Sequence, residues 1–178
     1  MKEVVFAGFG GQGVLTAGLV LAQIALFNDK KATWIPEYGA AMRGGTSNCT
    51  VKYDPEEVGS PGQEEPDLVM ALNNPSFTKF VNIVKPGGYM LVNSDLVTVD
   101  TDLRDDITVL KIPGSTISDG LGSSKALNIV MVGAMIKAMG DFTKEEAIAG
   151  MNDMFAKKGK NDFEMQNVRA FEAGYEAV

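Results

Sequence analysis

The chain contains no histidine and a single cysteine, Cys49. The first absence excludes a Ser-His-Asp triad, a histidine general base and most zinc sites. The second excludes an iron-sulfur cluster held by this chain alone, because such clusters usually take four cysteine ligands. A redox centre that serves this protein would have to lie on another polypeptide. No apolar run reaches the ~20 residues of a membrane span. No run rich in Lys and Arg exists either, and the net charge is -7. A polyanion would be repelled, so neither nucleic acid nor membrane is expected as a partner. The opening "KEVVFAGFG" lacks a signal-peptide layout, and a cytoplasmic location is the expectation.

What is present is the balance of a globular protein: 178 residues, 45% apolar and 22% charged. That length suits one domain over residues 1–178. "KEVVFAGFG" (Lys2 to Gly10) reads as a strand, near-continuously apolar and therefore buried on both faces. "GVLTAGLVLAQIALF" (Gly13 to Phe27) is too long for a strand, rich in Ala and Leu, and reads as a covered helix. Short strands follow at Lys31 to Ile35, ended by Pro36, and at Asn48 to Tyr53. Asp54 to Pro66 is acidic, rich in Pro and Gly, and reads as a solvated loop.

Strands are expected again at Asp67 to Asn73, at "YMLVNS" and at Ile107 to Pro113. Between the first two lies a helix with Asn74 or Ser76 near its start and Gly87-Gly88 beyond its end. A long apolar helix spans Ser123 to Gly140, with Gly140 as its cap. Thr143 and Glu146 match a capping box for a helix to about Lys157. A last helix starts at Asn161, and Phe163, Val168, Phe171 and Tyr175 should dock one side of it on the body. Strands alternating with helices predict an α/β, Rossmann-like domain: a mostly parallel sheet with helices on both faces.

"GFGGQG" places Gly8, Gly10, Gly11, Gln12 and Gly13 between the first strand and the first helix. Glycines there permit a tight turn and let a ligand approach the backbone. The helix start offers unpaired N–H groups and a positive dipole end, which suit a phosphate. The same glycines also serve close strand-helix packing without any ligand, and both readings stand. A P-loop is excluded, since Val14 and Leu15 occupy the Lys and Ser/Thr positions. The ribose-binding carboxylate of a dinucleotide site would have to be Glu37, which follows Pro36.

"PEYGAAMRGGTSNC" (Pro36 to Cys49) fits no helix or strand period. It sets one cation, Arg43, before Gly44, Gly45, Thr46 and Ser47. A guanidinium fork beside backbone donors and hydroxyls suits an anionic group. The alternative is that Arg43 pairs with Glu37 or another carboxylate and pins the loop. Following the second strand, this loop should share the carboxyl edge of the sheet with Gly8 to Gly13. Cys49, in an alternating strand, reads as a small buried residue, and the 10 methionines read chiefly as core filler.

"GFGGQGVLTAG" followed by "PEYGAAMRGGTSNCTV" resembles the gamma subunit, or gamma domain, of 2-oxoacid:ferredoxin oxidoreductases. "GSPGQEEPDLVMALNNPSFTKF" and "LGSSKALNIVMVGAM" extend the resemblance over nearly the whole chain. Ala40 and Ala41 depart from it, replacing a Pro-Glu pair before Met42-Arg43-Gly44-Gly45. "GGTSNC" and "NNPSFTKF" lean toward the 2-oxoglutarate or branched-chain 2-oxoacid branches.

The resemblance implies an accessory subunit, without catalytic residues or metal of its own, and inactive as an isolated chain. Alpha, beta and ferredoxin-like delta subunits are its implied partners, with ferredoxin reached indirectly. The assembled enzyme would convert a 2-oxoacid to an acyl-coenzyme A and pass electrons to ferredoxin. Thiamine diphosphate, its Mg²⁺ and the iron-sulfur clusters are expected on partner subunits. In keeping with that, Ser118-Asp119-Gly120 stands where a thiamine site has Gly-Asp-Gly, and Asn73-Asn74 precedes it instead of following it. Coenzyme A is the one ligand this chain could help to seat, through Gly8 to Gly13 and Arg43 to Ser47. An autonomous NAD(P)-binding Rossmann protein and a ligand-free assembly module are the competing readings.

Overall fold

A computed structural model describes residues 1–38, 46–99 and 104–178. Its strands are β1 (Lys2–Phe9), β2 (Lys31–Tyr38), β3 (Thr46–Asp54), β4 (Leu68–Ala71), β5 (Tyr89–Asn93) and β6 (Thr108–Ile112). Its α-helices are α1 (Val14–Phe27), α2 (Asn74–Phe80), α3 (Gly114–Gly120), α4 (Leu127–Met139), α5 (Lys144–Lys157) and α6 (Glu164–Glu176). The strands make one sheet in the order β2-β3-β1-β4-β5-β6. β1, β4, β5 and β6 run parallel, while β3 runs antiparallel to both β1 and β2. The α/β class and the mostly parallel sheet agree with the pattern in the sequence, and β3 is the exception within it.

Alternation along β1 divides the core. Val4 and Phe6 join the cluster beneath α1, α4, α5 and α6, whereas Val5 and Ala7 join the cluster beneath α2. Burial on both faces explains the continuous apolar run. β2 continues through Pro36 to Tyr38 instead of ending at the proline. It is an edge strand, and an edge tolerates a residue that cannot donate to a ladder.

Caps set several helix ends. Thr143 Oγ1 accepts from the Glu146 N–H while the Glu146 carboxylate accepts from the Thr143 N–H, and α5 starts there. Gly140 ends α4 at φ 68. α2 is capped by Asn73, one residue before the expected Asn74. α6 follows a 3-10 turn, Asn161–Phe163; Phe163 is exposed, while Phe171 lies in the core with Ala170, and Val168 and Tyr175 pack against it. α6 lies so close to α4 that a Cβ on Gly174 would collide with the Val130 carbonyl, and one on Gly133 with the Phe171 carbonyl.

On the α2 face, β3 carries Lys52, fully buried, with Glu3 Oε2 and Glu64 Oε1 each 3.4 Å from its Nζ. Glu3 is buried too, and its Oε1 accepts the Glu64 N–H at 2.7 Å. Asp67 accepts the Glu3 N–H and binds Lys85. This cluster fastens the end of the otherwise exposed 55–65 loop to the sheet.

Candidate functional site

β1 delivers the chain to the carboxyl edge of the sheet, where Gly10 to Gly13 turn it into α1. The Gln12 N–H donates to the Phe9 carbonyl at 3.1 Å and closes the turn. Gly11 (φ 94) and Gly13 (φ 77) occupy the left-handed region, where a side chain is strained. Gly10 and Gly11 are exposed. Gly13 is the N-cap of α1 and has no side-chain oxygen to offer, and no acidic residue stands in the first turn. The leading N–H groups of α1 thus lack a side-chain cap at the positive end of the dipole.

Gln12 behaves differently from the glycines around it. Its side chain turns inward, where Oε1 accepts the Phe9 N–H at 2.7 Å and Asn73 Nδ2 at 3.2 Å. Its Nε2 donates to the Leu72 carbonyl at 3.4 Å. Asn73 Oδ1 in turn accepts the Ser76 N–H at 2.9 Å. Gly8 makes room for this carboxamide, since a Cβ there would lie 2.8 Å from Gln12 Oε1. On the opposite flank Asn128 Nδ2 donates to the Gly13 carbonyl at 3.2 Å. A Cβ on Gly13 would approach that Nδ2 to 2.6 Å. The turn is therefore held from the β4–α2 side and from α4 together.

The flanks of the arginine-bearing segment reach the same edge. Tyr38 pairs with Ser47, Ser47 pairs with Gly8, and Thr46 pairs with Phe9. Residues 39–45 thus connect to strand ends one and two strands from the glycine turn. Arg43, Gly44 and Gly45 themselves lie outside the described residues. Thr46 and Ser47 open β3 and are half-buried. Their backbone belongs to the strand, so their free resource is two hydroxyls.

Glu37 is exposed and sits level with Asn48 on β3, which sits level with Ala7 on β1. β3 is thus interposed between β2 and β1. In a dinucleotide fold the strand bearing the ribose carboxylate adjoins the first strand. Here it stands two strand spacings away, about 10 Å.

Cys49 is fully buried, with its Sγ 3.7 Å from the Val14 carbonyl oxygen, and burial pushes its thiol up to about 12. A thiol so protonated and covered is a poor nucleophile. Native protein at pH 8 is expected to leave Cys49 unmodified by an aromatic disulfide reagent over an hour, and one thiol per chain to react after denaturation. Modification within seconds in the native state would contradict the packing. Among the described residues, no group of three His, Cys, Asp or Glu side chains stands together as a metal site. Among them, too, no helix is long and apolar enough to cross a membrane.

Sequence reasoning missed Asn73 and Asn128 as parts of this edge. The signals were a second asparagine before Asn74-Pro75 and one lone carboxamide in the apolar run "ALNIVMVGAM".

The family model described as "Pyruvate ferredoxin/flavodoxin oxidoreductase" matches residues 3–177. The ketoisovalerate oxidoreductase subunit VorA of Methanothermobacter marburgensis is 37% identical over 172 residues, covering 97% of this chain and 35% of that protein. The chain thus spans about a third of the length of that relative. The 2-oxoglutarate synthase subunit KorC of Methanocaldococcus jannaschii is 34% identical over 179 residues, covering 99% of this chain and 94% of that one. Among solved structures, the gamma subunit of a keto/oxoacid ferredoxin oxidoreductase from Geobacter sulfurreducens superposes with a TM-score of 0.84. It is 29% identical, and the match covers 99% of this chain and 98% of that one.

Proposed function

The chain belongs to the pyruvate ferredoxin/flavodoxin oxidoreductase family, and we propose that it is the accessory gamma subunit of a multisubunit 2-oxoacid:ferredoxin oxidoreductase. The full enzyme would oxidatively decarboxylate a 2-oxoacid, hand the acyl group to coenzyme A and pass the electrons to ferredoxin. Alpha and beta subunits and a ferredoxin-like delta subunit are the partners in this reading. Thiamine diphosphate with Mg²⁺ and the iron-sulfur clusters belong to those partners. The described residues of this chain do not suit them: its lone cysteine is buried, and no metal-binding cluster accompanies it.

In this reading the carboxyl edge faces the catalytic subunits, screens the thiamine-bound intermediate from water and helps to seat coenzyme A. One observation carries it. The glycine turn and both flanks of residues 39–45 reach one edge, with Gly8 beside Ser47 and Phe9 beside Thr46. Exposed Gly10 and Gly11 let a ligand approach the backbone, and the uncapped start of α1 favours negative charge. Arg43 would supply a guanidinium for a phosphate of coenzyme A. These groups bind and orient; they carry no electrons.

The test is a calorimetric titration of the reconstituted complex with coenzyme A. Arg43→Ala is expected to weaken binding roughly ten- to hundredfold, the worth of about 1.5–3 kcal/mol for a charge-assisted contact. The isolated chain should turn over no 2-oxoacid. Undiminished coenzyme A affinity in the Arg43→Ala complex, or turnover by the chain alone, would refute the assignment.

A further inference from the structure

Gln12 stands inside the glycine motif, where it is naturally taken for a ligand contact, yet its carboxamide is bonded to the protein itself. Both of its atoms are engaged within the protein: Oε1 with the Phe9 N–H and Asn73 Nδ2, and Nε2 with the Leu72 carbonyl. The missing side chain of Gly8 leaves the space this carboxamide occupies. Three segments consequently meet on one amide: the end of β1, the end of β4 and, through Asn73, the cap of α2.

We infer that Gln12 is a positioning residue, which holds Gly10 and Gly11 in a preformed seat without touching what binds there. The inference rests on the reading of this edge as the coenzyme A seat. A seat fixed in advance spares a ligand the cost of ordering the turn, so its loss weakens binding. A carboxamide suits this role because it accepts two bonds at one oxygen and donates at its nitrogen. A methyl group in its place would leave the Phe9 N–H without its acceptor and cut the link to α2.

The discriminating pair is Gln12→Ala and Gln12→Glu in the reconstituted complex. A glutamate keeps the acceptor for Phe9 N–H and Asn73 Nδ2, and replaces the 3.4 Å donation to Leu72 with a weak oxygen–oxygen opposition at that distance. It also adds negative charge. A positioning residue predicts that Gln12→Ala weakens coenzyme A binding at least about tenfold. Gln12→Glu should then weaken it by less. A residue that touches the coenzyme A phosphates predicts the reverse order, because a carboxylate repels them.

Calorimetric titration with coenzyme A reads affinity directly, and steady-state rates add the KM for coenzyme A and for the 2-oxoacid. Only the former is expected to rise. Gly8→Ala, which pushes on Gln12 Oε1 from the other side, should reproduce the Gln12→Ala defect. A glutamate variant worse than the alanine variant overturns the inference, as does an unchanged coenzyme A affinity in Gln12→Ala while Arg43→Ala abolishes it. If neither Arg43→Ala nor Gln12→Ala alters coenzyme A affinity, the seat itself has been misassigned. Should Gln12→Ala fail to assemble, the sign of the Gln12→Glu effect relative to Gly8→Ala decides the same question.

Discussion

Gly174→Ala is expected to lower the thermal midpoint by about 6–12 °C. An alanine in the middle of a helix ordinarily stabilises it by about 1 kcal/mol relative to glycine. Here the sign reverses, because the added methyl group has no room. It would enter the space of the Val130 carbonyl, which is rigid backbone and not the free end of a side chain. α6 must then move off α4, opening the contact that buries Ala170 and Phe171. Overpacking of this kind costs about 3 kcal/mol or more. At about 2–4 °C per kcal/mol for a chain of this size, the stated shift follows. Gly133→Ala, which meets the Phe171 carbonyl, should behave alike. Gly120→Ala is the control: nothing lies within 4 Å of its Cβ, and it should leave the midpoint almost unchanged. A Gly174→Ala protein as stable as the parent would show that α4 and α6 are not in backbone contact.

Lys52→Met is expected to cost about 3–5 kcal/mol in urea unfolding. The lysine lies wholly inside the protein with Glu3, itself 5% exposed, as its buried partner. Removing the ammonium leaves the Glu3 carboxylate in a poorly solvating place, near a second carboxylate on Glu64. That uncompensated charge, more than the lost attraction, sets the size of the effect. Replacing the pair together, Lys52→Met with Glu3→Leu, removes both charges and should recover most of the loss. About 1 kcal/mol stays missing, since Glu3 Oε1 also accepts the Glu64 N–H. Glu64→Gln should cost under about 1 kcal/mol, because its side chain is 56% exposed and water screens it. A double variant no better than Lys52→Met would mean that the two charges do not interact.

Much of this architecture was legible because it is written in local chemistry. Thr143 with Glu146, Gly140 after an apolar run, and the β-rich stretch before Gly10 are statements about neighbouring residues, and each produces its element in place. α3 was not legible. Its sequence, GSTISDG, is made of poor helix formers, and its first turn is held by distant groups. Asn93 Oδ1 accepts the Gly114 and Ser115 N–H groups, and Asp95 accepts the Thr116 N–H. The direction of β3 was equally hidden, since periodicity gives the faces of a strand and not its sense. The same holds at the edge of the sheet. The glycines could be read as a turn from their spacing. That Gln12 bends inward toward Leu72 and Asn73, some 60 residues on, depends on β4 lying beside β1. Strand neighbours of that kind are a property of the assembled sheet.

Trp34 is the only tryptophan, and it lies on β2 against α1, where a Cβ on Gly18 would come 3.0 Å from its Nε1. The protein therefore carries a single indole fluorophore, separable from its tyrosines by red-edge excitation, at the seam between the sheet margin and the helix that starts at the glycine turn. Its emission wavelength reports the hydration of that seam without any label, so a shift on docking of another subunit, or on addition of a nucleotide-bearing thiol, could be followed optically in real time.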